Sequence, residues 1–176
     1  MHFQLINKKA MKKISISLAC LFLAILSCGQ TVSNTSISCL NKADAEKILG
    51  QPATLTENTT EEKDNAVKYR CTYTATKSEA TTGKTGHLYY MFEKYVSQAS
   101  AKVVYAGILA QNRNMPNFKT LNSIGDEALR HTDNENFDMI IVRKDDKILR
   151  LKVNKLTALT SIKNLQIIAE EITAKL

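Results

Sequence analysis

The sequence lacks the groupings from which catalytic and metal centres are built. It holds four cysteines and three histidines in 176 residues, and Cys39, Cys71, His87 and His131 show none of the close spacing that zinc ligation requires, so no metal is expected. No phosphate loop is complete, because Ser78 stands where the motif before Gly83-Lys84-Thr85 needs a glycine, and a strand rather than a helix is predicted to follow. No nucleophile elbow accompanies His131 and Asp133. The acidic pairs Asp145-Asp146 and Asp133 to Glu135 fall in predicted turns, where carboxylates cap backbone amides. No catalytic residue and no cofactor is therefore assigned. After Leu26 no apolar run approaches the roughly 20 residues of a membrane-spanning helix.

What the N-terminus does have is a sharp polarity. Lys8, Lys9, Lys12 and Lys13 precede an apolar run from Ile14 to Leu26, and no acidic residue occurs before Cys28. A charged stretch followed by a short apolar one has the organisation of a signal peptide, which places residues 1–27 in a removable segment. Cys20 lies inside it and would leave with it. The run ends Ile25-Leu26-Ser27-Cys28-Gly29, which resembles the bacterial lipobox, with a branched residue at −3 and a small residue at −1. Leu26 at −2 departs from the more usual Ala, Ser or Thr. The resemblance implies acylation of Cys28 with palmitate-type chains and a lipid anchor in a bacterial cell envelope, in the outer membrane if the cell is Gram-negative. The alternative is an ordinary signal peptide with an incidental Cys28.

Removing residues 1–27 changes the charge argument. The formal net charge is +7 from 24 basic and 17 acidic residues, and four of the basic ones lie in the signal, which leaves +3. A weak excess without a concentrated patch does not point to nucleic acid. Residues 28–38 are small and polar and read as a lipidated tether, and residues 39–176 as a single domain large enough to bury its own core. Cys39 and Cys71 are the cysteines left to that domain. An oxidising envelope makes a bridge between them the expectation, and two free buried thiols the alternative.

Patterning within the domain predicts an α+β fold with a mainly antiparallel sheet. Leu40 to Ala45 reads as a helix start with Asn41 as N-cap and Asp44 three residues on, and Gly50 and Pro52 stop the helix. The stretch Thr54 to Asn65 is polar and is assigned no element. Tyr69, Cys71, Tyr73 and Ala75 then alternate with Arg70, Thr72, Thr74 and Thr76, and Leu88, Tyr90 and Phe92 with His87, Tyr89 and Met91, which predicts two strands paired as a hairpin. From Val96 to Asn112 a helix is expected to pack on the sheet through Ala99, Val103, Ala106, Gly107 and Ala110. Ala128 to His131, Phe137 to Val142 and Ile148 to Val153 read as strands, the last two forming a hairpin through Lys144 to Lys147. A final helix carries Leu165, Ile168, Ala169, Ile172 and Leu176 on one stripe.

Period-two alternation also separates the faces of the sheet. Tyr73, Leu88, Tyr90, Phe92, Leu149, Leu151 and Val153 form the apolar set, and Arg70, Thr72, Thr74, Tyr89, Arg150 and Lys152 the other. The apolar face is expected under the helices and the other to be more polar; aromatic residues and arginine are enriched at interfaces, so Arg70, Tyr89, Arg150 and Lys152 form the candidate binding face, the alternatives being a merely solvated face or one covered by a further helix. Replacing Tyr89 or Arg150 by Ala is expected to leave stability within roughly 1 kcal/mol.

Several short stretches together suggest a family. Cys39-Leu40, Asp44-Ala45-Glu46, Ile48 to Pro52, Cys71-Thr72-Tyr73, Gly125 to Ala128 and Val142 to Asp145 resemble the small bacterial lipoproteins of unknown function whose domain is similar to the PsbP-like α/β/α sandwich. The resemblance supports the bridge and the fold, and implies a binding or accessory role without catalytic residues to carry over. The expected partners are the membrane, through the lipid, and an envelope protein, glycan or small ligand. The rival expectation is an envelope hydrolase whose site, with residues such as His131 and Asp133, is assembled from loops.

Overall fold

The computed structural model describes residues 39–176. The segments expected as a signal at 1–27 and a tether at 28–38, with the expected acylation site Cys28, lie outside the described residues. Helix α1 (Lys42–Leu49) begins where Asn41 accepts a hydrogen bond from the backbone N–H of Asp44 through its side chain, and it ends at Gly50 with φ 70°. Glycine is required there for two reasons. The left-handed backbone disfavours a side chain, and a Cβ would lie 2.0 Å from the carbonyl oxygen of Leu159.

Seven strands follow: β1 (Ala53–Lys63), β2 (Ala66–Ala75), β3 (His87–Tyr95), β4 (Lys119–Leu121), β5 (Glu127–Thr132), β6 (Phe137–Lys144) and β7 (Lys147–Asn154), interrupted by helix α2 (Gln98–Asn112) and closed by α3 (Ile162–Ala174). They form one sheet in the order β1-β2-β3-β7-β6-β5-β4, with every neighbouring pair antiparallel. The fold is thus α+β with an antiparallel sheet, as the patterning predicts. Strand β1 occupies the stretch assigned no element. It is an edge strand exposed along most of its length, so no apolar alternation marks it. Its pairing with β2 is set by a two-residue turn at Asp64 and Asn65, both with positive φ, the geometry that matches strand twist.

The strand alternation sends side chains to two cores. Leu88, Tyr90 and Phe92 of β3 and Leu149, Leu151 and Val153 of β7 pack with Ile48 and Leu49 of α1 and Leu165, Ile168 and Ala169 of α3. On the opposite face, Tyr95, Leu129, Ile141 and Ile148 pack with Ala101, Tyr105 and Ile108 of α2. This corrects the predicted packing stripe of α2, because Ala99, Val103, Ala106, Gly107 and Ala110 are exposed. Val103 retains 74% of its accessible surface. Burial follows the apolar area to be removed from water, and Tyr105 and Ile108 carry far more of it than alanine and glycine. All seven members of the apolar set lie in the first core, as assigned, but the opposite face, expected to be the more polar one, is partly covered by α2 over a second core.

Cys39 and Cys71 form a disulfide with a Cα–Cα distance of 5.9 Å. It fastens the chain just before α1 to the middle of β2, where Cys71 is buried in the first core.

Candidate functional site

Because α2 covers only part of its face, the rest of that face is open, and the strand register dictates what it displays. Thr72 of β2, Tyr89 of β3, Lys152 of β7 and Met139 of β6 are direct cross-strand neighbours in one row. Arg70, Met91, Arg150 and Ile141 form the next, and Lys68, Glu93 and Ile148 the one after. Moving along these rows, the face passes from open sheet to the residues under α2.

A groove of about 440 Å³ occupies the open part, lined by Glu57, Lys68, Arg70, Thr72, Tyr89, Met91, Glu93 and Arg150, with Cys71 and Tyr90 at its floor. Three of the four candidate residues, Arg70, Tyr89 and Arg150, therefore share one concavity. Lys152 lies on the same face beside Tyr89, outside the groove lining, with its ammonium 4.8 Å from the centre of the Phe137 ring. His87 and Tyr89 bring their ring centres to 6.3 Å, and the His87 imidazole is hydrogen-bonded to Thr74 at 3.0 Å. Burial first, and then the charge of Lys155, hold His87 below the ordinary imidazole range, so its ring is neutral near pH 7.

The electrostatics of the groove turn on Glu93, which period-two patterning alone does not single out. Its side chain is almost fully buried, and it is bracketed by Arg150 at 2.7 Å and Lys68 at 3.7 Å. Beside it, burial first, and then the negative charge of Glu93, push the Tyr95 phenol up to about 12. Glu57 accepts a hydrogen bond from the Thr72 hydroxyl at 2.8 Å. Arg70 reaches across β1 to Glu61 at 2.9 Å, a bridge exposed on both sides. The alternation did contain a signal for the place of Glu93: with Leu88, Tyr90 and Phe92 inward, Tyr89, Met91 and Glu93 must share the other face. Lys68 follows from Arg70 and Thr72 by the same rule.

The residues named for a loop-built hydrolase are engaged elsewhere. His131 hydrogen-bonds Asn112 at 3.2 Å and meets the Phe137 ring edge-on at 5.0 Å. Asp133 accepts hydrogen bonds from the backbone N–H groups of Glu135, Asn136 and Phe137 and from the Asn136 side chain, and so closes the β5–β6 loop. Lost solvation favours its neutral form, but these donors outweigh that and hold the carboxyl well below the usual range. The other strong charge pairs tie strands together: Arg143 binds Asp126 and Glu127 at 2.8 and 2.6 Å, and Arg130 binds the buried Asp138. Among the described residues no group of three or more His, Cys, Asp or Glu side chains is placed to hold a metal ion, and no helix is long and apolar enough to cross a membrane.

No family model, curated protein or solved structure matches the chain.

Proposed function

We propose that this chain is a lipid-anchored protein of the bacterial cell envelope that binds a ligand, without catalysis, on the open part of its sheet face. The observation that carries the reading is the groove in which Arg70, Tyr89 and Arg150 converge beside Lys152. A sheet face left uncovered while the rest of it is packed under a helix exposes aromatic and methionine surface together with arginine, a composition that interfaces enrich. The polar side chains that line it are held by partners within the domain, which suits a preformed surface better than a reacting one.

Localisation rests on the N-terminal sequence: the lysine cluster, the apolar run and Ser27-Cys28 support export, acylation at Cys28 and a short polar tether. The bridge between Cys39 and Cys71 accords with an oxidising compartment. Helices on both faces of an antiparallel sheet also agree with the likeness to lipoproteins bearing a PsbP-like sandwich. The test has two parts. Metabolic labelling with a palmitate analogue is expected to mark the chain and to be lost in Cys28→Ser, and label persisting on that variant overturns the anchor. Tyr89→Ala is expected to keep the melting temperature while abolishing ligand retention by the purified chain, and unchanged retention overturns the face.

A further inference from the structure

The two edges of the sheet are unequally guarded. One is β4, which comprises only Lys119–Leu121, and so short an edge offers little to pair with. The other is β1, 11 residues long and exposed along most of its length. A register shift between Leu55 and Glu57 marks a bulge toward one end, and beyond it residues 57–63 pair with β2 without a break. On their other side these residues meet no strand among the described residues.

The hairpin fixes which main-chain groups of β1 face outward. Lys63 and Ala66 flank the two-residue turn, so they exchange hydrogen bonds with each other, and the alternation runs back along β1 from there. Lys63, Glu61, Thr59 and Glu57 therefore direct their N–H and C=O groups at β2, whereas those of Glu62, Thr60 and Asn58 point away from it. An antiparallel strand laid on this edge satisfies them.

Side chains decide which strand fits. Edge charges commonly guard against pairing, but whether they repel or attract depends on register. With Thr59 set opposite Thr59 of a second copy, Glu57 would meet Glu61, and with Glu61 opposite Glu61 two carboxylates would meet on the axis. With Thr60 opposite Thr60, residues 57–63 overlap completely. Each Glu57 then meets Lys63 of the other copy, Asn58 meets Glu62 and Thr59 meets Glu61, so no like charges stand directly opposed. In the same register the outward groups of Asn58, Thr60 and Glu62 face one another and exchange both main-chain hydrogen bonds in each pair. Glu57 and Lys63 are both exposed, and Glu61 has its own Arg70 at 2.9 Å.

We propose that two copies of this chain pair edge to edge through β1, antiparallel and centred on Thr60, into one continuous sheet held by the main-chain ladder and by ion pairs between Glu57 of each copy and Lys63 of the other. Contact confined to one strand makes the association reversible.

Sedimentation equilibrium of the full chain, in detergent with micelles in large excess, tests the pairing. Expected is a monomer–dimer equilibrium with a dissociation constant on the order of micromolar. Thr60→Pro removes an outward N–H and spares the ladder to β2, and is expected to weaken the dimer at least about tenfold at an unchanged melting temperature. Glu57→Lys and Lys63→Glu each place like charges opposite one another at both ends of the contact, and each is expected to weaken it by about tenfold or more. An equimolar mixture of these two variants is expected to restore the dimer, because each altered position then faces the other. Should Thr60→Pro lower the melting temperature, the two charge variants carry the test. A monomer at all concentrations, or a dimer that Thr60→Pro leaves intact, overturns the edge pairing. A dimer indifferent to both charge variants, or not restored by mixing them, overturns the register centred on Thr60.

Discussion

Arg150 donates from both Nε and Nη2 to a single carboxylate oxygen of Glu93, at 3.1 and 2.7 Å, so a half-buried cation of β7 is also the partner of a buried acid. Sequence alternation places Arg150 on a solvated face whose substitution should leave stability almost unchanged. The structure revises that expectation, because Glu93 keeps only 2% of its surface. Arg150→Ala leaves the carboxylate with the more distant Lys68, and is expected to cost about 2–3 kcal/mol. Tyr89→Ala is expected to stay within about 1 kcal/mol. Urea denaturation of the two variants checks this, and equal midpoints would contradict the assignment of Arg150 to a supporting role.

Helix α2 offers a paired test of its corrected orientation. Tyr105 is 2% exposed, and Tyr105→Ala is expected to cost roughly 3–5 kcal/mol, as for a large aromatic removed from a core. Gly107 lies mid-helix, and a Cβ placed there would meet nothing within 4 Å, so Gly107→Ala is expected to stabilise by about 0.5–1 kcal/mol. Destabilisation by Gly107→Ala would show that the small-residue face is packed after all.

The bridge between Cys39 and Cys71 spans 32 positions. Its removal is expected to cost about 3–4 kcal/mol in the chain-entropy view and to lower the melting temperature on the order of 10 °C. Calorimetry with and without reductant reads this directly, and a shift below about 2 °C would leave the bridge without a stabilising role.

Asp133 supplies a pH dependence. Its folded carboxyl titrates below its unfolded value near 3.9, so the folded state binds fewer protons than the unfolded one across that interval. The stability it contributes is present above about pH 4 and is lost as pH falls through the lower, folded value. Asp133→Ala is expected to cost about 1–2 kcal/mol at pH 7, from the lost acceptors for three backbone N–H groups, and progressively less below pH 4. Denaturation at pH 7 and pH 3 measures both, and a constant difference would show that the charge of Asp133 is irrelevant.

Sequence made legible whatever depends on strong local periodicity or on cap chemistry. The Asn41 and Gly50 ends of α1 and the inward set from Tyr73 to Val153 belong to that class, while the partnership of Cys39 with Cys71 followed from their being the cysteines left to the domain. It did not reveal β1, because an edge strand exposed on both faces carries no apolar alternation. It misplaced the packed side of α2, because five small residues at helical spacing imitate a core stripe while Ala101, Tyr105 and Ile108 bury the greater area. The candidate face was legible as a set, since Arg70, Tyr89, Arg150 and Lys152 do share one side of the sheet. The pairing of Arg150 with Glu93 was not, since it depends on how β3 and β7 lie together across 57 residues of sequence.

The central claim is that ligand is met on the open sheet face around Tyr89, and site-specific photocross-linking in intact cells tests it most directly. A photoreactive residue is placed at position 89, and in a parallel strain at position 163, where Lys163 is exposed on α3. The account predicts adducts from position 89, lost when Lys152→Ala is added, and none from position 163. Adducts arising equally from both positions, or from position 163 alone, would contradict it.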